Sequence, residues 1–357
     1  MRWTIAGSAG AGAVLAGLAL VAPAGQAAAQ DGSASGHRPR THVVRPGHSI
    51  QAAVDRARPG DTIRLLRGTY DGGVLVKKHL TIRGAGVKTV LRPGGTDHCA
   101  AVQWAGTGIC VAGRAGHPVK GVTIKNLTVR KFAKNGVFGY FTDRLTVEHV
   151  LAANNGEYGI SEFNSTRGRF AHDWAADNGD EAGFYVGDIA NAHGTVVTGN
   201  RATGNAIGLL VRHARNVRAW GNDLVGNCVG VALVDDSQKG GQGNTKLWKN
   251  NVSKNNRTCA AHEEVPPLGG TGVLFFGGDH NVVEKNVVNG NRGNLPYSGG
   301  IVLFRGTPPL NRPARHNLVQ RNVVRGNAPF DLVDNSGSKT NRFRHNLCRT
   351  SNPAGLC

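Results

Sequence analysis

The chain has 357 residues, 39% of them hydrophobic and 6% aromatic, enough apolar material for one large domain or two small ones and too much for a disordered tail. Its 52 glycines lack the every-third-residue period that a collagen helix requires. The 42 Lys and Arg against 23 Asp and Glu leave +19 at neutral pH, a charge that draws polyanions.

Met1-Arg2-Trp3 carries one positive charge, residues 4–22 are apolar or small, and Ala27-Ala28-Ala29 offers a cleavage site. These features predict a secretory signal over 1–29 and a secreted, extracellular protein. No Lys/Arg stop-transfer cluster follows, so no membrane association is expected once the signal is removed. Residues 30–40 are polar and Gly/Ser-rich and predict a disordered linker before a folded domain over 41–357. Ser49 predicts the cap of a helix running to about Ala57, with Ile50, Ala53, Val54 and Ala57 on one face to lid the domain. Pro59-Gly60-Asp61 then turns the chain into a strand over 62–66, and 74–76 and 80–82 continue as strands.

Further on, Asn pairs five residues apart recur: Asn200/Asn205, Asn222/Asn227, Asn250/Asn255, Asn286/Asn291 and Asn322/Asn327. Each follows a short strand-like segment, and most are succeeded by Gly and another strand, as in Gly208-Leu209-Leu210-Val211. The first marker steps through 126, 149, 173, 200, 222, 250, 286, 322 and 346. The shorter steps hold three strands and three turns, too little for a propeller blade and without the apolar stripes of helical repeats. Stacked in parallel, such units bring each apolar position against its counterpart about 4.8 Å away and let Asn amides bond up the stack. The fold class predicted is all-β, a right-handed single-stranded parallel β-helix with a short N-terminal capping helix. Longer steps place loops at 237–244, 257–270, 292–298 and 306–315.

The six cysteines of an exported chain favour disulfides. Fifteen connectivities exist; proximity suggests Cys99 with Cys110, Cys228 with Cys259 and Cys348 with Cys357, the last closing over the final coil. Asp97-His98-Cys99 reads as disulfide context, so no metal site is assigned.

The segments Pro46-Gly47-His48-Ser49-Ile50-Gln51-Ala52-Ala53-Val54, Gly68-Thr69-Tyr70 and Leu80-Thr81-Ile82-Arg83-Gly84 resemble the start of pectate-lyase-superfamily β-helices, and the coils resemble NosD-like β-helix repeats. Tyr158-Gly159-Ile160-Ser161-Glu162-Phe163 and the coil after it are similar to the active-site coils of mannuronan C5-epimerases. That family has Asp and His where this chain has Ser161 and Phe163, and Asp at Gly187. Tyr158 is the shared residue.

Aligned on their leading Gly, the strands put Ile160, Phe184, Leu209, Val231, Val273 and Ile301, then Val186, Val211, Leu233, Phe275 and Leu303, inward. Glu162 is the acid in an inward slot, either a strand-end residue with a polar partner or a general acid of raised pKa. Tyr185 and Phe276 fall on outward positions, where rings stack on sugars. The fifth position reads Asn164, Asp188, His213, Asp235, Gly277 and Arg305, with Asp236 beyond.

The candidate catalytic set is therefore Asp188, Arg212, His213 and Asp235, with Tyr158, Glu162, Tyr185, Asp236, Phe276 and Arg305 as candidate substrate contacts. Asp188 and Asp235 lie two coils apart, about 9.6 Å by strand spacing, near the roughly 6.5–9.5 Å of inverting glycosidases. In a uronan lyase, Arg212 or His213 would be the base, with Asp188, Asp235 and Asp236 as oxygen donors for Ca²⁺. The same residues at strand ends also serve simply as turn formers. The expected partner is an anionic polysaccharide or cell-wall polymer, engaged as a lyase, hydrolase or epimerase or held by a non-catalytic module. The basic residues are spread over every coil without a nucleic-acid motif, so no nucleic-acid partner is expected, and a monomer is expected.

Overall fold

The computed structural model describes residues 38–357 except 180, 237–239, 263–264 and 307–310. The expected leader over 1–29 and residues 30–37 of the expected linker lie outside the described residues, as do parts of the expected loops at 237–244, 257–270 and 306–315. Residues 39–357 form one compact unit.

Helix α1 (Ile50–Arg56) starts where Ser49 Oγ accepts the Ala52 N–H at 3.1 Å, and Ala57 ends it. Its apolar face, Ile50, Ala53 and Val54, is buried and lids the first coil. An 11-stranded parallel sheet then climbs through 109–112, 137–140, 160–163, 182–189, 207–214, 229–234, 271–276, 299–304 and 332–335. The other walls join into a 17-stranded sheet. They join because strands Thr123–Arg130 and Thr146–Ala153 turn a corner at Asn126 and His149, each at positive φ.

The register is the expected one. Ile160 pairs with Phe184, then Leu209, Val231, Val273 and Ile301, all essentially inaccessible. Each side chain thus meets apolar neighbours above and below, and burying one of this size stabilises by about 2 kcal/mol. Glu162 occupies the same wall as Val186, Val211 and Leu233 and is 1% exposed.

Asparagines hold the corners. One buried column runs Asn178, Asn205, Asn227, Asn255, Asn291 and Asn327, each amide donating to the next Oδ1 at 2.9–3.0 Å. A second links Asn222, Asn250, Asn286, Asn322 and Asn346. Each Oδ1 also accepts a backbone N–H from the preceding coil, so turn donors that would otherwise be orphaned are satisfied. A third column, Gln242, Asn281, Asn317 and Asn341, was not anticipated from the five-residue spacing.

All three disulfides form with the expected partners. The final strand, Ser351–Asn352, adds to the 11-stranded sheet, and Leu356 packs against the core beside the Cys348–Cys357 bridge. Among the described residues no helix is long and apolar enough to cross a membrane.

Candidate active site

The outer face of the 11-stranded sheet is apolar rather than solvated. Tyr185, Leu210, Ala232, Leu274 and Val302, one per coil, are buried in a second cluster with Tyr158, Leu268 and Phe276. The loop after Asn256 provides the cover. It folds back through the hairpin of Thr258–Cys259 with Leu268–Gly269 and is tied to the wall by Cys228–Cys259, with Arg257 donating to the Gly204 carbonyl. A cavity of about 470 Å³ remains between this loop and the corner at 177–179 and 204–206.

Beside the covered region, polar side chains converge at the ends of strands Ala182–Ile189, Ile207–Ala214 and Val229–Val234. Asp188 and His213 occupy equivalent positions on adjacent coils, both at positive φ (55° and 45°), a conformation that costs a non-glycine residue about 1 kcal/mol or more. His213 Nδ1 lies 2.8 Å from Asp188 Oδ1, and its Nε2 contacts Asp236 Oδ1. Tyr185 donates its hydroxyl to Asp188 Oδ1 at 3.3 Å. Arg212 Nε donates to Asp236 Oδ2 at 2.5 Å. The imidazole, 2% exposed, therefore bridges two carboxylates from within, whereas Asp188 (26%) and Arg212 (28%) reach solvent.

Burial opposes the charge of Arg212, yet the field of Asp236 and neighbouring phenols outweighs it and holds the guanidinium above the ordinary arginine value. Burial lifts the phenols of Tyr158 and Tyr185 well above theirs. Glu181, absent from the sequence-derived set, stands just before this wall. Burial pushes its carboxyl above the ordinary range, against the opposing field of Arg212 and the hydroxyl that Tyr158 donates to it.

Aromatic rings continue up the wall. Phe163 stacks on Tyr185 at 4.3 Å, Phe138 is 5.1 Å from Phe163, and Trp104 lies 4.1 Å from Phe138 and 5.4 Å from Tyr140. Trp104, Tyr140 and Phe163 are partly exposed.

Of the sequence-derived set, Tyr158, Tyr185, Asp188, Arg212, His213 and Asp236 are thus brought together. Asp235 is buried on the next coil, its carboxylate beside Gly241. Phe276 packs with Tyr297 and Phe304, and Arg305 is exposed near Gly337; both lie on coils past the cluster. Glu162 is inside the solenoid, its Oε1 accepting from Thr195 Oγ1 at 2.8 Å, walled off from the outer face. Among the described residues no group of three or more His, Cys, Asp or Glu is arranged to hold a metal. Asp188 and Asp236 are committed to His213, Tyr185 and Arg212, which does not fit the oxygen cage that Ca²⁺ takes.

The parallel rungs, corner ladders and outer-face site define a right-handed parallel β-helix protein. The family described as right handed beta helix region matches residues 97–247. The chain is similar in structure to the A-module of mannuronan C-5 epimerase AlgE6 of Azotobacter vinelandii, at 18% identity and a TM-score of 0.61, over 83% of this chain and 88% of that one. It is also similar to an alginate lyase from Paenibacillus sp. str. FPU-7 (15%, 0.53, 87% and 99%). A DFA-IIIase from Arthrobacter chlorophenolicus A6, solved with DFA-III, gives 15%, 0.56, 87% and 98%. These likenesses establish the right-handed parallel β-helix fold. A search of curated proteins gave no match.

Proposed function

We propose that the protein is a secreted carbohydrate-active enzyme that hydrolyses an anionic polysaccharide at the Asp188–His213–Asp236 site. The observation that carries the reading is Asp188, a partly exposed carboxylate at the end of the ring-lined wall that accepts from a phenol and an imidazole through Oδ1 alone, while the buried His213 behind it is held by Asp236. Hydrolysis by activated water needs a carboxylate oriented in this way.

In this mechanism the glycan lies along the ring column, with Phe163, Tyr140 and Trp104 stacking on its sugars. Asp188 takes a proton from water as the water oxygen bonds to the anomeric carbon, the bond from that carbon to the glycosidic oxygen breaks, and the glycosidic oxygen takes up a proton from solvent. His213 and Tyr185 orient Asp188, and Asp236 holds His213 and Arg212 in place. The alginate lyase and epimerase among the structural relatives support a polysaccharide substrate, and the +19 charge supports an anionic one.

The test incubates purified protein with alginate, pectate and neutral glucans, following reducing ends and the ultraviolet absorbance of unsaturated uronates. Reducing ends without that absorbance, lost in Asp188→Asn, are expected. Unsaturated product would transfer the site to a lyase, and retention on the polymer with no turnover in either assay would make the protein a binding module.

A further inference from the structure

Cations that look scattered along the sequence fall into register on a different wall from the candidate active site. In the turn before the second Asn column, successive coils present Gly199, Gly221, Lys249, Lys285 and Arg321. All five are at positive φ, between 53° and 64°. The backbone at this corner demands a left-handed residue, which glycine adopts freely and long side chains resist. Three consecutive coils nevertheless carry Lys or Arg there, exposed, and among the described residues none of the three makes a close ion pair, Lys285 feeling only the field of Glu284.

The flanking column adds to the same sign. Arg218, Lys246 and Arg342 occupy one outward position of the wall, and Arg344 lies two residues from Arg342. The acid facing them, Glu284, is neutralised by Lys246 at 2.8 Å. The result is a solvent-facing stripe of cations repeating once per rung, about 4.8 Å, close to the advance of one sugar along an extended chain.

We infer that Lys249, Lys285 and Arg321 form a second, non-catalytic site that grips an extended anionic polysaccharide by one carboxylate or sulfate per rung. Long cations at three consecutive left-handed positions place one charge per rung at this corner. The rung repeat matches a polymer charged on each sugar better than a single small anion. The site does not rest on turnover, so it stands or falls apart from the hydrolytic reading.

The experiment compares the full chain with the triple variant Lys249→Gly/Lys285→Gly/Arg321→Gly, both in an Asp188→Asn background that prevents digestion of the probe. Because glycine relieves the left-handed turn, the variant should melt no lower than its parent. Its affinity for alginate at low salt should fall about tenfold, with elution from an alginate column at lower NaCl. Turnover of a short oligosaccharide by the triple variant carrying native Asp188 should be unchanged. If glycine loosens the coils, Lys249→Asn/Lys285→Asn/Arg321→Asn keeps a side chain that tolerates the turn and should lose affinity equally. Unchanged alginate affinity in a folded variant would overturn the site. So would tighter retention of double-stranded DNA than of alginate through the same three residues.

Discussion

Glu162 makes the fold itself pH-sensitive in a direction that can be worked out. Its carboxyl lies inside the solenoid with one hydrogen bond from Thr195, and burial raises it from 4.5 to about 7. Between those values the folded chain keeps a proton that the unfolded chain releases. Stability from this group is therefore greatest below pH 4.5 and is lost as pH rises through 7. The gap corresponds to about 3 kcal/mol at alkaline pH. Glu162→Gln keeps shape and removes the titration. Urea unfolding should show near-equal stability of the two proteins at pH 4 and the variant ahead by about 3 kcal/mol at pH 8.5. Subtracting one curve from the other cancels every other ionisable group. A difference that does not change with pH, or a wild-type advantage at pH 8.5, would refute the burial argument.

Replacing Asn222 by Ala removes its amide donation to Asn250 Oδ1 and the Oδ1 that accepts the Asn200 N–H; the orphaned groups should cost about 2–4 kcal/mol in denaturant unfolding. Opening Cys228–Cys259 with a double Ser variant should cost about 2–4 kcal/mol and uncover Leu210 and Leu274, read as binding of a hydrophobic dye to the folded protein.

The strand register was legible because glycine marks each rung and alternation marks its inner face: Ile160, Phe184 and Leu209 pair as their spacing from Gly159, Gly183 and Gly208 requires. The disulfides followed from short separations. What escaped was lateral. Tyr185 and Leu210 read as exposed because alternation distinguishes two faces but does not say that a later loop folds back over one of them. A hint existed in Cys228, which ties that loop to the wall. Glu181 lies in a turn, outside any period, and only its proximity to Tyr158 on the previous coil gives it a role. Asp235 and Asp236 are neighbours in sequence, yet Asp236 reaches His213 while Asp235 lies beside Gly241, because adjacent residues of a strand end point to different sides.

The amide columns also separate architecture from ornament. Because corner geometry is held by contacts between successive coils, segments leaving the other corners are free to change length without shifting the coil above or below. Coils of 22 and of 36 residues already share one Asn column. New specificity could thus evolve, or be engineered, by exchanging excursions at one corner while the spine stays untouched.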